Sequence, residues 1–188
     1  MLISPNTPDL PPIPFTQQEI KALVMDLSAI KVLLLEDAEA TTDKVKAEMN
    51  AHSWVHFACH GIQDVSDPLK SGIHLYNNRL ELLEIIWQKI SNPELAFLSA
   101  CQTSKGDVKL SEEVVHLAAG MLAAGYHGVV GTMWNISDLH GPKFAKWFYE
   151  YLLKEMGQRD WTVLRLPMLW ILLKGRFERL LERMTAHF

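Results

Sequence analysis

A chain of 188 residues, 48% of them hydrophobic, can bury one substantial core but leaves little room for a second. Its formal charge of -4 supplies no global basic field for a phosphate backbone, so nucleic acid is not an expected partner. Two cysteines without a C-x-x-C pair suit a reducing compartment, which points to the cytoplasm, with access to the nucleus.

Residues 1–15 carry prolines at positions 5, 8, 11, 12 and 14 and read as a loose, extended lead-in without the basic and apolar regions of a signal peptide. Thr16 and Glu19 then form a T-x-x-E capping box, opening a helix with Ile20, Leu23, Val24 and Leu27 at helical spacing. Residues 32–35 are a continuous apolar run, which predicts a strand covered on both faces. Thr41 or Thr42 can cap a helix that turns Val45 and Met49 inward, and a strand ending in His60 follows. Strand, helix, strand predicts a βαβ unit with a right-handed crossover and a parallel sheet.

Residues 73–76 and 79–81 flank Asn77-Asn78, which tolerates a tight turn, so a small antiparallel ribbon is expected. Leu82, Leu83, Ile86 and Ile90 mark a helical face, and residues 95–99 a strand that leads into Cys101. Ser111, with Glu112 and Glu113 behind it, predicts a helix start. Ala118-Ala119-Gly120 and Ala123-Ala124-Gly125 make that helix thin enough to lie close against the sheet. Residues 128–132 read as a further buried strand, and Asp138 as a cap for a helix with Phe144, Trp147, Phe148, Tyr151 and Leu152 on one face, stopping near Gly157. Residues 159–188 hold six Lys/Arg against three Asp/Glu, and Pro167 interrupts their apolar stretch, too short and too basic to span a bilayer. Phe177, Leu180, Leu181 and Met184 give this tail an amphipathic helix.

Chemistry concentrates at two strand ends, Trp54-Val55-His56-Phe57-Ala58-Cys59-His60-Gly61 and Leu95-Ala96-Phe97-Leu98-Ser99-Ala100-Cys101-Gln102-Thr103. Imidazole can take a thiol proton and thiolate is the competent nucleophile, so His60 and Cys101 are a candidate dyad. Caspases carry Cys within Q-A-C-[RQG]-G and His about 50 residues upstream; here His60 precedes Cys101 by 41 positions. The blander alternatives are a buried structural cysteine and a hydrogen-bonded core histidine. His52, His56 and His60 lie four apart and would share a helical face, but the stretch reads as a strand, so no metal site is expected. On that strand Cys59 faces away from His60 and belongs to the core.

The strings HFACHG and LSACQT, a small-residue helix and GVVGTMWNISD together strongly resemble the CHAT domain, a caspase-like and separase-related family often fused to tetratricopeptide arrays. The resemblance covers residues 32–157. It implies a caspase-like three-layer α/β/α sandwich with a mostly parallel sheet, incomplete at both ends: such domains begin with strands upstream of residue 32 and close with a Trp-containing strand, neither of which the sequence displays. The implied organisation is a lead-in over 1–15, a partial CHAT domain over 16–157 and a divergent basic tail over 158–188. The implied activity is that of a cysteine endopeptidase needing no cofactor, with His60 and Cys101 catalytic and the amides of Gly61 and Cys101 as oxyanion donors. The string Trp134-Asn135-Ile136-Ser137-Asp138 resembles the separase W-D-V-T-D, which makes Asp138 a candidate for reading a basic residue before the cut, and equally a helix cap. Asp64 and Asp67, in the loop after His60, compete for that role or are solvated loop acids. Implied partners are a polypeptide substrate and a tetratricopeptide-repeat protein. The rival expectation is a truncated, catalytically weak module that acts as a protein-interaction or regulatory domain.

Overall fold

A computed structural model describes residues 1–26, 30–62, 64, 66–99, 110–131 and 141–156. The chain divides into two compact units, Met1–Glu150 and Tyr151–Phe188. The sheet and the site belong to the first. Of the second, the described residues are the closing turns of one helix.

The elements are β1 (Leu2–Ser4), α1 (Pro14–Asp26), β2 (Leu34–Glu36), α2 (Thr42–Ala51), β3 (Trp54–Phe57), β4 (Gly61–Ile62), β5 (Gly72–His74), β6 (Arg79–Glu81), α3 (Leu82–Trp87), β7 (Leu95–Leu98), α4 (Leu110–Ala123), β8 (Gly128–Gly131) and α5 (Gly141–Met156). Five strands form one sheet in the order β2-β1-β3-β7-β8, every pairing parallel. A separate ribbon, β4-β5-β6, is antiparallel. It contains the expected Asn77-Asn78 turn and one strand more than expected, supplied by Gly61 and Ile62.

Alternation along the strands builds three layers. Ile3, Phe57 and Leu98 are in register across β1, β3 and β7, and Leu35 of β2 lines up with Ile3. All four join one core with Val45 and Met49 of α2, Leu82 and Ile85 of α3, and Leu117 and Met121 of α4. The opposite face presents Leu2, His56 and Phe97, again in register. Glu19 of α1 and Phe144, Phe148 and Tyr149 of α5 meet that face. Continuous apolar runs in the strands are what a sheet covered on both sides requires.

Three expectations are corrected here. The opening is not a loose lead-in throughout: Leu2–Ser4 inserts between β2 and β3, with Ile3 fully buried. A strand therefore does precede residue 32, and it splits the expected βαβ unit. Leu-Ile-Ser is too short to show alternation, and Pro5, which has no amide to donate, ends it. The Thr16–Glu19 capping box is absent because α1 starts earlier, at Pro14, where proline's fixed φ suits the first turn. Thr16 instead donates its hydroxyl to the Ile13 carbonyl at 2.8 Å. On α5 the buried positions include Ala145, Phe148, Tyr149 and Leu152, while Trp147 is 36% exposed.

Helix α2 follows the sequence closely: Thr41 caps it by accepting from the Lys44 amide, and Val45 and Met49 are buried. Helix α4 begins at Leu110, so Ser111 lies within it rather than before it. Its thin stretch faces α3, because a Cβ on Gly120 would come within 2.5 Å of Leu82 Cδ2. Alanine at 120 would gain about 1 kcal/mol of helix propensity, whereas overpacking a filled core costs about 1–3 kcal/mol. The larger, β-branched valine adds volume with only part of that gain. Gly120→Val is therefore expected to lower the chemical-denaturation midpoint, and an unchanged midpoint would show that the α3–α4 contact yields freely.

Candidate active site

His60 sits where the two sheets meet. The ladder of β3 ends at Phe57, the Ala58 amide still donates to the Ile3 carbonyl at 2.9 Å, and three residues after Phe57 the chain reaches His60 and turns into β4. On the neighbouring strand, Leu98 is the register partner of Phe57, and the Ser99 amide donates to the Phe57 carbonyl at 2.8 Å. Cys101 follows Leu98 by three residues in the chain. Cys101 and Asp138 themselves lie outside the described residues.

His60 is 5% exposed. Its Nε2 lies 2.8 Å from the Pro11 carbonyl oxygen. A carbonyl can only accept, so Nε2 carries the proton and the neutral ring leaves Nδ1 as its lone-pair nitrogen. Nδ1 is buried and has no hydrogen-bond partner among the described residues. Burial pushes the imidazole below its ordinary pKa, and the Pro11 carbonyl opposes this by favouring the charged ring. His74 of β5 is held low by its own burial, then by the neighbouring His60 and the Arg79 guanidinium.

Gly61 is placed by the ribbon's ladder. The His74 amide donates to the His60 carbonyl at 2.8 Å, so His60 and His74 are the hydrogen-bonded pair. Antiparallel pairing alternates, which turns the amide of the next residue, Gly61, away from β5 and toward the ribbon's outer edge.

The loop acids organise their own loop. Asp64 Oδ1 accepts from the amides of Ser66 and Asp67, each at 3.0 Å, and from the Ser66 hydroxyl at 2.6 Å. Its carboxyl is held below the usual value first by that hydroxyl, then by the Asp67 amide. Asp67 caps a short 3-10 turn by accepting from the Leu69 amide, and its other oxygen lies 3.6 Å from Lys70 Nζ.

Sequence reasoning missed a second polar cluster, under the opposite face of the sheet. Glu19 reaches from α1 with Oε1 2.9 Å from His56 Nε2, an electrostatic contact rather than a well-aligned hydrogen bond. Its Oε2 accepts from the Ser99 hydroxyl at 2.9 Å. His56 is fully buried, stacks on Phe97 at 4.6 Å and 9°, and has Nδ1 3.2 Å from the Tyr149 hydroxyl. Burial, then the Glu19 carboxylate, pushes the Tyr149 phenol upward, so it remains a hydroxyl able to donate to Nδ1. A usable signal existed: Glu19 falls on the helical face of Thr16, Ile20 and Leu23, where an acid is out of place unless paired.

The three spaced histidines do not converge. The His52 ring bonds the Glu48 carbonyl, His56 faces Glu19 and Tyr149, and His60 faces Pro11. Cys59 is buried.

A parallel sheet covered on both faces, with a buried histidine beyond the carboxyl end of a central strand, is the architecture of a caspase-like α/β/α fold. The family model of the CHAT domain matches residues 3–180, and the chain belongs to that family. No curated protein matches it. Among the described residues no helix is long and apolar enough to cross a membrane.

Proposed function

We propose that the protein is a cysteine endopeptidase in which His60 activates Cys101. One observation carries the reading: Phe57 and Leu98 are register partners in parallel strands, and each is followed at the same distance of three residues by one member of the pair. Two parallel strands deliver their following residues to one edge of a sheet, the edge where open α/β folds bind ligands.

The chemistry follows from the His60 tautomer. Its Nε2–H is committed to Pro11, so Nδ1 accepts the Cys101 thiol proton, and the thiolate attacks the scissile carbonyl carbon. The oxyanion is held by the amides of Cys101 and Gly61; the outward orientation of the Gly61 amide supports its part. His60 then protonates the leaving amine, which departs as the carbon–nitrogen bond breaks and leaves a thioester on Cys101. Water attacks that thioester, His60 takes its proton, the acid product leaves and the thiol is restored. The Pro11 carbonyl orients the base in place of a carboxylate. No metal or cofactor is required.

The family's separase-like string supports cleavage after a basic residue, read by Asp138. Asp64 and Asp67 are weaker candidates because their carboxylates already serve the loop. The substrate is a polypeptide, a tetratricopeptide-repeat protein is the proposed regulatory partner, and the compartment is the cytoplasm.

The test is labelling by a peptide with a basic residue before an acyloxymethyl ketone warhead, with the modified residue located by mass spectrometry. Modification at Cys101 is expected. Folded protein that stays unlabelled, or is labelled only at Cys59, would sink the reading in favour of an interaction module.

A further inference from the structure

The geometry points to Glu19 as a positioning residue that joins the two strands bearing the dyad; this rests on the endopeptidase reading above. One carboxylate spans both strands, with Oε1 2.9 Å from His56 of β3 and Oε2 accepting from Ser99 at the end of β7. His56 lies four residues before His60, and Ser99 two residues before Cys101. The same short stretch of chain also supplies Pro11, whose carbonyl holds the His60 ring eight residues ahead of Glu19.

The cluster is built rather than incidental. Glu19 is 2% exposed and His56 fully buried, and a buried carboxylate persists only where partners replace its water. Tyr149 closes the remaining ring nitrogen of His56 from α5, and Phe97 covers the ring face. Among the described residues, the groups facing Glu19 are thus a hydroxyl, an imidazole and, beyond it, a phenol. Core packing alone asks for none of them, and an apolar residue would fill position 19 at less desolvation cost. What the carboxylate adds is a fixed separation between the two strand ends, and a base and nucleophile depend on that separation being held to a fraction of an ångström.

The experiment follows alkylation of Cys101 by iodoacetamide across pH in the full chain, read at the Cys101 peptide so that Cys59 does not contribute. Ser99→Ala cuts the link to β7 and leaves the His56–Glu19 pair. It is expected to slow alkylation at neutral pH roughly tenfold and to move the pH midpoint toward the ordinary thiol value of about 8.5. Ser99→Thr, which keeps the hydroxyl, restores both. Glu19→Ala removes the links to both strands and behaves like Ser99→Ala or more severely. Thermal midpoints are measured alongside, so that a variant failing to fold is recognised and Ser99→Ala decides. A folded Ser99→Ala protein with the parent's rate and midpoint, even if its melting temperature falls, overturns the role of Glu19. A parent midpoint at the ordinary thiol value, unmoved by His60→Ala, overturns the dyad itself and the positioning role with it. A low parent midpoint that His60→Ala raises and Ser99→Ala does not overturns the positioning role alone.

Discussion

Replacing His60 by alanine is expected to slow peptide cleavage by about 10²- to 10⁴-fold, the usual contribution of a positioned general base, and replacing Cys101 by alanine to abolish it. His60 keeps its Nε2 proton on Pro11 and has one nitrogen left to accept a thiol proton. Alanine removes that nitrogen while the residue-60 carbonyl, which accepts from the His74 amide, remains. The pH profile supplies a second reading with a definite sign. The base works when neutral, and burial holds the imidazole below its ordinary value. The neutral fraction therefore stays high as pH falls through the usual histidine range, and the acidic limb of kcat/KM is expected below about 6.5. A limb at or above that value would mean that the ring is solvated during turnover. Cleavage unchanged in His60→Ala would remove it from the mechanism.

Phe97→Ala is expected to cost roughly 3–5 kcal/mol, the range for emptying a buried phenylalanine site. Phe97 is 1% exposed and lies within 4.6–6.0 Å, centroid to centroid, of the rings of His56, Phe144, Phe148 and Tyr149. It is the residue through which a central strand meets α5. Its loss opens a cavity and strips the stack from a buried imidazole, so the deficit exceeds what area alone would give. Against a typical domain stability of about 5–15 kcal/mol, this is a large share of the total. Guanidinium unfolding provides the check, with Phe97→Leu expected to lose less. A deficit under about 1 kcal/mol at unchanged slope would show that the layer between sheet and α5 can collapse around the gap.

Much of the fold could be read from the letters because its signals are local. The Thr41 cap, the inward Val45 and Met49, the Asn77-Asn78 turn and the apolar strand before Cys101 each depend on a few adjacent residues and the period of the element. The errors fall where a partner distant in the chain decides. Leu2–Ser4 is a strand only because β2 and β3 offer it two ladders. Glu19 resembles a capping residue until His56 and Ser99, 37 and 80 positions away, draw it inward. Trp147, expected on the covered face of α5, is 36% exposed while Tyr149 is buried, because packing, rather than hydrophobicity alone, sets which side of the helix is covered.

At the site the division is similar. The residue types and their order, histidine and glycine after one strand and cysteine after the next, follow from sequence, since strand, loop and nucleophile chemistry are properties of short segments. The common register of the strands that precede them, the protonated nitrogen of His60, the outward amide of Gly61 and the carboxylate that spans β3 and β7 were decided by tertiary structure alone. Each depends on a hydrogen bond or ladder closed between residues remote in the chain, and neither periodicity nor composition encodes which remote partner will arrive.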